Sequence, residues 1–402
     1  MRRASPWVVT TIAFIAFISL GAPDAILGVA WPDIQLAFDL PSAGIGFILF
    51  SSATGYFLSS TFAGTIIRFI PLGWLLAIST GLVAVGLFGY SVVPFVPWFM
   101  VLAFGIGAGS GAIDTGLNAY ASGHFSARVM NWLHGFFGIG AMVGPLVMTS
   151  VLISGASWQV GYIIVAIFVL AMTILFVVSH RIWDDPRANW PEHREESVGL
   201  TVALRQRSAS VQLALFFVYC GVEVVAGQWG FTVLRERFDA SQGMAGFWIG
   251  MYWGSIAAGR LLIGAAVDRV GATRLVRLSL AATILGTFLF LLPRYEVAVA
   301  GLIVTGLGLA IVFPTLITLT SRRLPAPLVT HTVGFSVGAS VAGGATFPTL
   351  AGFLKGSLGT TSIPVLIVIL AVLTYGLNEL LTIRSPRVDG TSPGLVALDP
   401  AD

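Results

Sequence analysis

Long apolar stretches and short polar breaks alternate along the whole chain. Twelve stretches stand out, at about 8–30, 44–67, 72–92, 97–121, 131–153, 159–179, 210–232, 242–267, 275–292, 297–320, 329–354 and 362–383. Each approaches or exceeds the roughly 20 apolar residues that carry a helix across a bilayer. Backbone groups in lipid must bond within their own segment, so these stretches are predicted to be helices and the fold all-α. The first stretch follows Arg2 and Arg3, as a leader peptide would. It runs too long, carries Asp24 near its end and lacks a clear small-residue cleavage site, so it is read as a retained span.

Composition narrows the function. Of 402 residues, 56% are apolar and 10% are charged, against roughly 25% charged in soluble domains. A soluble enzyme does not fit that balance. The single cysteine, Cys220, lies in an apolar run and supports neither a disulfide framework nor a thiolate metal cluster. No phosphate-cradling glycine loop with its lysine is present, so ATP is not the expected energy source. No His/Cys/Asp group has metal-ligand spacing, and no soluble segment holds a convincing nucleophile–base pair.

The basic residues set the orientation. With twelve spans both ends share one side, and 16 basic residues fall there, from Arg2 to Arg387; Arg235, Arg237, Arg294 and Lys355 fall on the other. Short loops obey the positive-inside rule, so both termini are expected in the cytoplasm of a cell whose inner membrane holds the protein. The basic charge is scattered over loops and forms no nucleic-acid patch. The longest polar stretch, 181–208, reads as a linker between a bundle at 1–180 and a second at 209–384, followed by a polar, disordered tail at 385–402. The expected partners are a small-molecule solute and the lipid bilayer, with the chain a monomer.

The halves repeat at an offset near 200. Gly46-Phe47 answers Gly246-Phe247, and Gly64 answers Gly264. Gly105 and Gly107 answer Gly306 and Gly308, and Asp24 with Gly28 answers Glu223 with Gly227. Parallel six-helix repeats with a midplane site between them are a transporter architecture.

Ionisable residues inside spans are costly, about 2.5–3.5 kcal/mol each on insertion scales, so each is a functional candidate. In span four Ser110, Asp114 and Asn118 recur every four residues and share one helix face among glycines. A carboxylate beside an amide suits proton exchange and sugar hydroxyls; the same trio could equally only pack the bundle. In span seven Tyr219, Glu223 and Gly227 share a face, followed by Gln228 and Trp229. Trp229 either stacks on a sugar ring or anchors the helix at the interface. Asp24, after Pro23, matches Glu223 in depth. His134 in span five either joins proton exchange or serves structure and gating near the cytoplasmic end. Arg260 in span eight lies about 12 Å above Asp268 at 1.5 Å per residue. It is expected to neutralise Asp114, the alternative being to snorkel to the cytoplasm. Asn378 and Glu379 read as interfacial. Proton coupling is thus assigned to Asp114, Glu223 and Asp24, and solute binding to Asn118, Ser110, Gln228, Trp229, Tyr219 and His134.

The run from Gly264 through Asp268, Arg269 and Gly271 to Arg274 resembles the cytoplasmic G-x-x-x-D-R-x-G-x-x-R loop of the major facilitator superfamily. Gly264 permits close helix approach, Gly271 permits a tight turn, and Asp268 can pair with arginines at helix ends that open and close. The first-half counterpart has Arg68 where the aspartate belongs. Nearly the whole chain is similar to this family. Asp114 with Asn118, the run from Asn131 to Pro145, and Tyr219-x-Gly-x-Glu223-x-x-x-Gly227-x-Trp229 resemble its fucose-permease-like sugar:proton symporters. Asp24 departs from that pattern, since the first-span acid there lies about one turn later, where this chain has Gly28. Gly140-x-x-x-Gly144-Pro145 resembles the antiporter motif of drug exporters, without the following glycine pair. The resemblance implies twelve helices in two pseudo-symmetric bundles and proton-coupled symport of a small polar solute by alternating access, with no cofactor and H+ or Na+ as coupling ion. The alternative is a proton-driven exporter of drugs or metabolites. A lipid flippase would need a lateral opening, which no sequence displays.

Overall fold

A computed structural model describes residues 6–67, 69–183, 206–263, 267–323 and 326–384. Among them are helices and turns, with no strand. Eleven helical segments are long and apolar enough to cross a membrane. The helix Gln242–Ile263, with 22 residues, is the remaining crossing, span eight. In order, span one is Pro6–Asp24 and Ile26–Ala37, span two Ile45–Ile66, span three Leu72–Ser91, span four Val96–His124, span five Ala127–Ile153 and span six Trp158–Ser179. Span seven is Arg207–Phe238, span nine Ala272–Leu291, span ten Tyr295–Leu309 with Val312–Arg323, span eleven Ala326–Leu358 and span twelve Ser362–Arg384. Below, the near side is where span one begins and span twelve ends; the far side is opposite.

Spans one and ten are broken at mid-depth, and both breaks are covered by side chains. Gln228 Nε2 donates to the Asp24 carbonyl at 3.0 Å. At the other break Arg260 Nε donates to the Ala310 carbonyl at 3.2 Å, and Tyr219 Oη to the Leu309 carbonyl at 3.3 Å. An interrupted helix persists at membrane depth only where its freed carbonyls find such partners.

The repeat is visible in contacts. Asp39 and Asp239 end spans one and seven with φ of 50° and 51°, a left-handed turn that aspartate tolerates. Gly46 of span two lies against Thr349 of span eleven, and Gly246 of span eight against Thr149 of span five. Spans four and ten correct the sequence register. Gly107 rests on Ser52 and Gly109 on Ser79 and Val83; Gly306 rests on Tyr252 and Ser255, and Gly308 on Ser279 and Thr283. The structure therefore equates Gly107 with Gly306 and Gly109 with Gly308, not Gly105 and Gly107 with them.

The far side is closed between the halves. Gly28 sits on the Gln228 backbone and Gly352 on Ala43, beside the two glycine–threonine contacts. Near the linker Trp183 is buried, its indole N–H donated to Ser179 Oγ at 3.3 Å. The chain thus stays docked to the first bundle through that residue. The rest of the expected linker and the tail lie outside the described residues, as do Arg68 and Gly264 of the two loop motifs.

Candidate functional site at the centre of the bundle

Two polar clusters face each other at mid-depth. In the first half Asp114 of span four accepts from Tyr56 Oη of span two at 2.6 Å and from Asn118 Nδ2 at 2.8 Å. The Asn118 amide also donates to the Asp114 carbonyl at 3.0 Å. Asp114 and Asn118 are one helical turn apart, so the amide closes over the carboxylate as the shared face requires. Asp24 is exposed although it lies at mid-depth, and its charge and that of Asp114 oppose one another. Among the described residues no cation pairs with either carboxylate.

In the second half Glu223 accepts from Tyr219 Oη at 2.5 Å. Arg260 Nη2 stands 3.7 Å from its other oxygen, with both side chains 14% exposed. Tyr252 Oη donates to the Glu223 carbonyl at 2.9 Å. This overturns the pairing expected from depth alone, because Arg260 neutralises Glu223 within its own half and does not meet Asp114. Glu223 also has the close partner that span seven supplies in Tyr219. Tyr56 and Tyr252, absent from the sequence reading, complete the two clusters. Neither advertises itself in sequence, since each belongs to a helix with no membrane acid of its own.

The other candidates divide. Gln228 is buried at the seam between the halves, its Oε1 without a partner. Trp229 is fully buried and donates its indole N–H to the Pro348 carbonyl at 2.9 Å, so in this conformation it presents no face to a solute. Ser110 is buried within the first bundle. His134 is half-buried, edge-on to Phe17 at 5.6 Å, with Arg260 as a charged neighbour. In the loop motif Gly271 has φ of +85°, a backbone conformation that favours glycine, and Arg269 and Arg274 are exposed.

Asn378 and Glu379 are not simply interfacial. Arg277 grips Glu379 with two bonds of 2.7 and 2.8 Å, and buried Arg323 donates to Asn378 Oδ1 at 2.9 Å. These bonds tie the near-side ends of spans nine, ten and twelve into one polar network. Among the described residues no group of His, Cys, Asp and Glu could hold a metal ion.

Known proteins place this architecture. The chain is 25% identical over 257 residues to the glucose/mannose transporter GlcP of Bacillus subtilis, covering 61% of this chain and 62% of that relative's length. A single-substitution variant of the nucleoside transporter NupG superimposes with a TM-score of 0.74 at 15% identity, over 94% of this chain and 98% of that one. The fucose:proton symporter FucP of E. coli, also a variant, gives 0.63 at 16% identity, over 93% and 98%. The profile of the Major Facilitator Superfamily matches residues 12–233 and 211–397. This chain, a multi-pass membrane protein of twelve helices in two halves, belongs to the Major Facilitator Superfamily of transporters.

Proposed function

We propose that the protein is a secondary active transporter that carries a small, hydroxyl-rich solute such as a sugar together with a proton, by alternating access. The observation that carries this reading is the unequal charge of the two central clusters. Glu223 is held by Arg260 and Tyr219, whereas Asp114 and Asp24 have neutral partners or none. A buried ion pair is locked by the penalty of leaving one member alone. An uncompensated carboxylate is the group free to gain and lose a proton as its access changes. Asp114 and Asp24 are therefore the coupling groups, with Asp114 the main carrier, and Glu223 moves to the solute side of the site. Half-buried Asn118 and Tyr56 supply the amide and hydroxyl that a polyol would exchange for water, while fully buried Tyr219 and Tyr252 hold the Glu223 carboxylate and carbonyl in place. The likeness to GlcP and to the fold of FucP supports the solute class.

The closed far side and the exposed Asp24 fit a state open toward the near side. The excess of basic residues on that side supports a cytoplasmic assignment for it, and with it an inner-membrane location. Asp268 would act as a near-side latch with the exposed arginines of its loop. A thermal-shift screen of the purified protein against sugars, polyols, organic acids and drug-like cations tests the solute class. Stabilisation by sugars or polyols supports symport of a polar solute; stabilisation by cations alone supports the exporter reading.

A further inference from the structure

The two seams between the halves are related by the repeat, and they are not alike. Spans five and eight are closed along their length. Gly246 meets Thr149, Gly250 meets Leu146, Gly254 meets Met142, Gly138 meets Ala257 and Gly135 meets Leu261. At Gly138 the approach is to the backbone: an added Cβ would lie 3.0 Å from the Ala257 Cα. The equivalent seam, spans two and eleven, begins the same way with Gly46 on Thr349 and then parts. Gly338, the mate of Gly138, touches only the rim of the Phe57 ring, 3.0 Å from an added Cβ. Phe57 is the mate of Ala257, so a ring stands where the other seam has a methyl group.

Exposure follows the same division. Phe50 and Phe57 are 45% and 48% exposed, and Thr54 and Thr61 between and below them are exposed too. Their mates Gly250 and Ala257 are buried, and Gly254 and Leu261 half-buried. The seam and the first polar cluster share span two. Tyr56, one residue from Phe57, donates to Asp114 from the same helix.

We propose that the seam between spans two and eleven is a lateral doorway. It takes the apolar part of an amphiphile whose uncharged, hydroxyl-bearing head occupies the central clusters, that is, a glycoside with an alkyl or aryl substituent. The proposal rests on the sugar reading above and narrows it. The head is not anionic, because among the described residues Asp24, Asp114 and Glu223 outnumber the one guanidinium at the centre and this excess of carboxylates repels phosphate and carboxylate heads; that it is uncharged and not cationic rests on the sugar reading. The tail lies against Phe50 and Phe57 because these rings are the apolar lining nearest Tyr56.

The test is equilibrium binding of methyl, butyl and octyl β-glucoside to the full chain in lipid nanodiscs, with octyl sulfate and octyltrimethylammonium as head controls. Affinity is expected to rise at least about tenfold from methyl to octyl glucoside, well within what burying seven methylenes can supply. In Phe57→Ala, which removes the ring, and Gly338→Leu, which crowds it, the rise should be at least about fivefold smaller than in the parent; the part due to partition into the nanodisc lipid is common to all three proteins and cancels in that comparison. Methyl glucoside binding with no gain along the series keeps the sugar reading and overturns the doorway. A gain that both variants leave unchanged also overturns it. Equal binding of all three octyl heads, lost in the variants, supports the doorway and removes the sugar reading. Binding by none of the five compounds overturns both.

Discussion

Arg260 stands 3.7 Å from Glu223 in the same half of the molecule, and this contact decides the electrostatics of the centre. Among the described residues the one guanidinium there is committed to span seven, so the carboxylates of the first half stand without it. Removing one member of a mostly buried pair leaves the other uncompensated, which costs about 3 kcal/mol. Arg260→Gln should therefore lower the unfolding temperature clearly, and Glu223→Gln added to it should restore most of the loss. Thermal unfolding of the three variants in nanodiscs checks this. Additive losses in the double variant would mean that the two side chains do not act as a pair.

The far side should open when its glycine contacts are blocked. A Cβ at Gly28 would lie 2.6 Å from the Gln228 carbonyl oxygen and 2.7 Å from its Cα, and backbone cannot yield as a side chain can. Gly28→Val is expected to push the far-side ends of spans one and seven apart. Spin labels at Asp39 and Asp239, the exposed far-side ends of spans one and seven, in a protein with Cys220→Ser, should report a longer distance in the variant than in its parent. An unchanged distance would show that this contact does not hold the far side shut.

Trp229 should behave as a packing residue. Replacing it with Phe keeps most of the buried ring and loses the bond to the Pro348 carbonyl, worth about 1 kcal/mol. Stability should fall by about that amount while solute affinity stays within about twofold. A large loss of affinity with unchanged stability would instead place the indole against the solute.

Much of this was legible in the sequence, and the failures share a cause. The twelve spans follow from apolar run length, and the Asp114–Asn118 bond follows from four-residue spacing on one helix; the same spacing puts Tyr219 and Glu223 on one face, but a shared face alone does not reveal the bond between them. Counting 1.5 Å per residue gives a side chain's depth but not its azimuth. Arg260 was thus placed at the right level and given the wrong partner. Tyr56 was missed because its bond to Asp114 joins residues 58 apart. The register of spans four and ten slipped because alternate glycines match equally well at two offsets, and only the backbones beneath them, Ser52 and Tyr252, distinguish the two. Trp229 fits neither solute stacking nor an interfacial anchor, and sequence cannot show that Pro348 lies over its N–H.

The most direct test is Asp114→Asn in sealed vesicles. Only a group that titrates can link the proton gradient, about 1.4 kcal/mol per pH unit, to the solute. The substitution keeps the shape and the bonds to Tyr56 and Asn118 within reach but removes the titration. With the solute identified by the screen, the variant should still exchange it across the membrane and should fail to accumulate it when a pH difference is imposed. Accumulation at the wild-type level would contradict the account and leave Asp114 a structural residue.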